Sequence, residues 1–130
     1  MAAENEAPAV VGLPRLLLRL EGAALFALAL FLYPKVDDSW VMFLGLVLAP
    51  DLSMAAYLAG PRVGALVYDA AHVTLGPIAL AIAGFLYPAV LLIALALIWL
   101  AHIGIDRALG YGLKYDAGFR FTHLGGIGRR

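Results

Sequence analysis

The sequence predicts an all-α fold: an antiparallel four-helix transmembrane bundle with short loops. Three observations predict it. Of all residues, 64% are hydrophobic and only 14% charged, with a mean hydropathy of +0.93, whereas a soluble domain is usually about half apolar. The apolar residues fall into four blocks of about 20, the length that crosses a bilayer core. Proline and glycine mark short breaks between the blocks, as antiparallel neighbours require.

Each element follows in order. Residues 1–12, "MAAENEAPAVVG", are acidic and rich in small residues, and read as a disordered N-terminal segment. A secretory signal would start basic and pass straight into an apolar stretch. Arg15 and Arg19 do precede such a run, and "ALA" at 27–29 imitates a cleavage motif. The run continues to Tyr33, so an uncleaved first helix is expected over about 13–33. Pro14 suits its first turn, and Pro34 should end it. "PKVDDS" is a polar turn in which Asp38 or Ser39 can cap the next helix.

The second helix is expected over about 40–58, with "AGPRVG" breaking the chain at Gly60 and Pro61. The third runs over about 63–86 and should kink at Pro77, which removes a backbone donor. Tyr87 and Pro88 make a tight turn. The fourth helix, about 89–109, should stop at Gly110. The transmembrane domain is thus residues 13–109, followed by a cytoplasmic tail over 110–130. Tyr111, Tyr115, Phe119 and Phe121 make that tail amphipathic and suit it to the headgroup layer.

Charge placement sets the orientation. Arg15, Arg19, Arg62, Arg107, Lys114, Arg120, Arg129 and Arg130 fall on one side of the bundle, and only Lys35 on the other. The positive-inside rule then places both termini in the cytoplasm, as a multi-pass protein of a bacterial inner membrane. The formal net charge is zero, so no global field draws in nucleic acid. The expected partners are the bilayer and either a second copy or a larger membrane complex. Cysteine is absent, which excludes disulfides, thiolate metal sites and a cysteine nucleophile. An internal duplication is suggested by "FLYPKV" at Phe31, which recurs as "FLYPAV" at Phe85, 54 residues later.

The ionisable groups within or near the spans are Glu21, Asp51, Asp69, His72, His102, Asp106 and Arg107. A charge at the bilayer centre costs about 2.5–3.5 kcal/mol on insertion scales, so such groups face the bundle and pair. At ~1.5 Å per residue, Glu21, Asp51, Asp69, His72 and His102 lie roughly 9–14 Å from the cytoplasmic end. Asp106 lies near that end, and the outer half holds no such group. Asp69 and His72 are spaced i, i+3, and His102 and Asp106 i, i+4; both spacings put the pair on one helix face. Bundles build metal sites from carboxylate–histidine pairs on facing helices. "DAAH" and "HIGID" supply pairs here, and Asp51 and Glu21 supply singles.

Asp51, His72, His102 and Asp106 are therefore the expected catalytic set, and the same four are the expected ligands of a divalent metal. Imidazole with carboxylate suits Zn, Fe or Mn, and such an ion can activate water. Arg107 and Lys114 at the mouth would hold an anionic headgroup or phosphate. Glu21 and Asp69 are supporting groups. The structural alternative is that each polar pair locks helices together, with Asp106 paired to Arg107, Arg15 or Arg19, and Asp51 capping a helix broken at Pro50. Ser53 near Asp51 raises a serine triad, and His72 with His102 raises bis-histidine haem ligation, against which the carboxylates speak. No phosphate loop, dinucleotide fingerprint or His-Glu-x-x-His occurs.

"LAPDLSMAAYLAGPRVGALVYDAAH" and "WLAHIGIDRALGYGLKYDAGFRFTHLG" resemble a family of small bacterial membrane proteins catalogued as domain of unknown function 4260. The likeness begins near "LLRLEG" and covers nearly all of the chain after residue 15. It implies a four-helix membrane protein and names no activity. Its motif positions fall on Glu21, Asp51, Tyr68, His72, His102, Asp106, Arg107, Gly110, Tyr111, Gly112, Lys114, Tyr115, Thr122 and His123. The resemblance thus adds Tyr111 and His123 to the groups expected at the mouth, with His123 folding back toward it. Asp69 departs from the family pattern, where Asn is frequent, which weakens it as an essential charge.

Three functions are then open. One is a membrane-embedded enzyme using metal-dependent or acid–base chemistry on a membrane-proximal substrate. The second is an accessory or assembly subunit of a larger membrane complex, with a structural polar cluster. The third is a proton-coupled small-solute transporter, which the dry outer half disfavours.

Overall fold

The computed structural model describes residues 9–37, 39–113 and 121–126. Among these are five α-helices: α1 Gly12–Val36, α2 Trp40–Leu46, α3 Pro61–His72, α4 Leu75–Leu86 and α5 Val90–Leu109. A 3-10 helix, Ala49–Ala59, lies between α2 and α3. A short antiparallel pair, β1 Phe121–Thr122 with β2 Gly125–Gly126, follows α5. Among the described residues three stretches are long and apolar enough to cross a membrane: Gly12–Val36, Trp40–Ala59 and Val90–Leu109. A fourth exists if α3 and α4, bent by 41°, count as one span. Leu17, Phe31, Leu52 and Leu58 are exposed along these elements, as side chains solvated by lipid are.

Prolines explain where two expected helices divide. A helical proline clashes with the carbonyl four residues back and cannot bond to it. Pro50 is four residues past Leu46, where α2 ends. Pro77 is four residues past Val73, the extended residue (ψ 148°) that ends α3. The expected second helix is therefore an α-helix continued by a 3-10 helix. The expected third is two helices, broken before Pro77 rather than kinked at it.

Pro34 behaves otherwise. It sits inside α1, which continues to Val36. Only one ladder bond is forfeited there, and the end closes with the Asp37 N–H on Tyr33 O at 3.0 Å. Ser39 caps α2 by accepting from the Met42 N–H at 3.1 Å. The two "FLYP" segments thus differ: the first continues a helix, whereas α4 stops at Leu86, ahead of the second proline.

Helix α5 occupies the middle. Its Ala94, Leu97, Ile98 and Ala101 pack with Ala29 and Tyr33 of α1 and Phe43 of α2. The rings of Tyr33, Trp40 and Phe43 meet pairwise at 5.1 Å, and the Tyr33 hydroxyl donates to Ser39 O at 2.8 Å. Helices α1 and α5 cross at two glycines. A Cβ on Gly104 would stand 2.6 Å from Phe26 N and 2.7 Å from Gly22 O, so only glycine permits this approach. Gly110 (φ 93°) ends α5, with the Tyr111 N–H bonded to Asp106 O at 2.8 Å, the glycine stop expected there.

Candidate functional site

The break at Pro50 does more than end a helix. Past it the backbone bonds three residues back, and the Asp51 N–H reaches Leu48 O at 3.0 Å. In an α-helix that donor would bond to Val47 O. Val47 O instead accepts from His102 Nδ1 at 2.6 Å. One proline thus swings Asp51 into the site and supplies the carbonyl that orients a histidine on another helix.

The early end of α3 acts similarly on His72. Terminal helical carbonyls lack backbone donors, and here side chains satisfy them. Trp99 Nε1 donates to Ala71 O at 2.6 Å, and Arg107 Nη2 to His72 O at 3.3 Å. His72 Nδ1 bonds to Tyr68 O at 2.9 Å. The Tyr68 ring stacks on the imidazole, 3.7 Å between centroids and 8° between planes. Both histidines are buried, at 4% and 1% exposure, and each ring is held on at least one side.

Their free nitrogens meet. His72 Nε2 and His102 Nε2 are 3.1 Å apart. Asp51 Oδ1 is 3.2 Å from the first and 3.1 Å from the second. Asp106 Oδ2 is 3.1 Å from His102 Nε2 and 3.6 Å from His72 Nε2. One atom from each of the four residues lies within 4.8 Å of all the others. Access is from the carboxylate side: the Asp51 side chain is 32% exposed and that of Asp106 17%.

The hydrogen-bonding roles follow from chemistry. A backbone carbonyl only accepts, so both Nδ1 atoms carry protons, and a neutral imidazole then has a lone pair at Nε2. Two lone pairs and two carboxylate oxygens converge with no donor among them. Such a group calls for a cation, either protons on the rings or a metal ion. A tetrahedral ion with ligands at about 2.0–2.1 Å spaces its ligand atoms roughly 3.3 Å apart; the five separations that involve an imidazole nitrogen are 3.1–3.6 Å, and the two carboxylates offer oxygens within 4.8 Å of each other. The Nε2 separation leaves no room for a porphyrin plane, which removes the haem reading.

Of the other expected residues, Arg107 touches this group, through the His72 carbonyl. Glu21 is exposed on α1, and Asp69 is half-buried on α3; neither joins the cluster. The arginines bond to backbone rather than to Asp106: Arg15 Nε to Leu124 O at 2.6 Å, and Arg19 Nε to Ala108 O at 2.9 Å. Ser53 donates its hydroxyl to Pro50 O at 2.7 Å, away from any triad. Tyr111 is 44% exposed beyond the end of α5. His123 does fold back, its Nδ1 accepting from the Leu113 N–H at 2.9 Å. Burial, with the Arg107 charge nearby, holds that imidazole below the usual histidine range. Lys114 lies outside the described residues.

Residue spacing did not reveal the contributions of Val47 and Trp99. Val47 acts through its carbonyl, which carries no side-chain signal. Trp99 precedes His102 by three residues and so shares its side of α5, the one cue that could have marked it.

The family described as domain of unknown function (DUF4260) matches residues 15–127, so the chain belongs to that family. No curated protein and no solved structure matches.

Proposed function

We propose that this member of the DUF4260 family is a membrane-embedded enzyme in which Asp51, His72, His102 and Asp106 hold one divalent metal. One observation carries the reading: both Nδ1 atoms are engaged by backbone carbonyls, so two Nε2 lone pairs point at two carboxylate oxygens 3.1–3.6 Å away. Fixing Nδ1 on a carbonyl is how proteins present Nε2 to a metal. The donor set of two imidazoles and two carboxylates fits Zn, Fe or Mn. Such an ion lowers the pKa of bound water and polarises an ester or phosphoryl oxygen.

In this reading the spans form an antiparallel bundle in a bacterial inner membrane, both termini cytoplasmic, supported by eight of the nine basic residues falling toward that side. The centre then opens to the cytoplasm past Asp51. Arg107, with Lys114, Tyr111 and His123, would hold the anionic part of a membrane-proximal substrate. Elemental analysis of the purified protein tests the metal. One ion per chain is expected, with chelator lowering the melting temperature. A chain without metal at any stoichiometry, and with stability indifferent to chelator, removes the reading.

The second reading is an accessory subunit, possessing a structural cluster. It is favoured by the Asp51–His102 and Asp106–His102 distances of 3.1 Å, which protonated imidazoles would also satisfy while tying the 3-10 helix to α5. It requires that Asp106→Asn lower stability with no metal lost.

A further inference from the structure

An apolar cavity of about 300 Å³ lies among the 3-10 helix, α3, α4 and α5, its walls including Ala49, Pro50, Ala71, Leu80, Ile98 and Trp99. None of its lining residues is charged. Three of its lining residues are chain neighbours of the four-residue centre. Pro50 directly precedes Asp51, and Ala71 directly precedes His72. Ile98 is one turn before His102, on the same face of α5. Trp99 forms a fixed wall, tied through its N–H to Ala71 O at 2.6 Å and seated against Gly76, where a Cβ would collide with the indole ring.

The elements around the cavity belong to the apolar stretches read as spans, and Ala49 and Leu46 are exposed at its edge, so the medium outside is hydrocarbon. A wholly polar substrate has nothing to bind there. A wholly apolar one has no use for the centre next door. Chains in a bilayer are already out of water, so the cavity selects by packing, and the polar head supplies the anchor. A cavity of this size is at the lower end of those that hold small ligands, roughly 300–1,000 Å³, which fits one chain rather than two.

We propose that this cavity is the chain subsite of the Asp51–His72–His102–Asp106 centre, and that the substrate is a single-chain amphiphile whose hydrocarbon tail lies against Trp99 and Leu80 while its polar head reaches the metal. This rests on the metal-centre reading above.

The chain has two tryptophans, so Trp40→Phe leaves Trp99 as sole reporter. In nanodiscs of unbrominated phosphatidylcholine, 12-bromododecanoic acid should quench Trp99 saturably, and dodecanoic acid, unlike acetate, should compete. Ala49→Leu and Leu80→Phe, which fill the cavity, should each weaken saturation at least tenfold. Should a filled variant fail to fold, the saturation and competition in the unfilled cavity decide the matter. Quenching that rises linearly with probe, or saturates equally in folded filled variants, overturns the proposal. So does a dimer that Ala49→Leu dissociates, which would give the cavity to a second copy. Parallel metal titration separates the two readings. Metal bound without saturable quenching removes the chain subsite and keeps the centre. Saturable quenching in a chain that binds no metal keeps the chain pocket and removes the centre.

Discussion

His72 Nε2 and His102 Nε2 face each other at 3.1 Å, although the two residues are 30 positions apart on different helices. Two imidazoles brought this close with both Nδ1 protons engaged are a poor neutral pair and a good pair of ligands. Four predictions test this relationship and the frame that holds it.

Removing a ligand should remove the ion. His102→Ala and Asp51→Asn should each lower metal content from about one per chain to a small fraction, measured by elemental analysis after dialysis. Loss of a partner that only orients a ligand typically costs about 10–100-fold in affinity, and loss of a ligand should cost more. Retained stoichiometry in both folded variants would count against the site.

Pro50→Ala tests the link from backbone to site. With a donor restored at residue 50, the 3-10 segment can revert to α-helix, and the Asp51 N–H would compete for Val47 O. His102 Nδ1 would lose its 2.6 Å acceptor. The expected result is metal affinity about 10–100-fold weaker, with the thermal stability of the metal-free chain unchanged or raised. Titration with Co²⁺, followed by its visible absorption, reads the affinity. Unchanged affinity would mean that the proline is only a helix break.

The α1–α5 crossing should tolerate no methyl group. Gly104→Ala places a carbon 2.6 Å from Phe26 N, and overpacking of this kind costs about 1–3 kcal/mol. Gly45→Ala, which meets nothing within 4 Å, is the control. The melting temperature in detergent should fall for the first and hold or rise for the second.

Acid should loosen the segment around His123. Burial first, and then the Arg107 charge, depresses this imidazole, so the folded chain binds a proton less readily than the unfolded one. The stability is complete above the ordinary histidine value, about 6.5, and is lost as pH falls through the lowered one. Protonation also ends acceptance from the Leu113 N–H, 2.9 Å away. Hydrogen-exchange protection factors at Leu113 and Leu124, corrected for the intrinsic pH dependence of exchange, should fall between about pH 7 and 5, and His123→Gln should flatten that profile. A flat profile in the unaltered chain would show that the contact does not govern docking.

The membrane-spanning character, the Gly110 stop and the inclusion of Asp51, His72, His102 and Asp106 in one polar set were all readable from the sequence. Hydropathy sums over a segment, a left-handed stop needs glycine, and spacings of three and four place side chains together on one helix. These effects are local, so a chain read in order contains them.

Tertiary structure alone decided which polar residues meet. Spacing tells which residues share a face, never which face turns inward; Glu21 had a suitable depth and ended exposed on α1, and Asp69 had the spacing and stayed outside the cluster. Which carbonyl would orient His102 also waited on the fold, because Val47 is offered only once Pro50 has changed the helix and α5 has come alongside. A buried lone pair acquires its meaning from the atoms opposite it, and those are brought by packing between segments far apart in the chain.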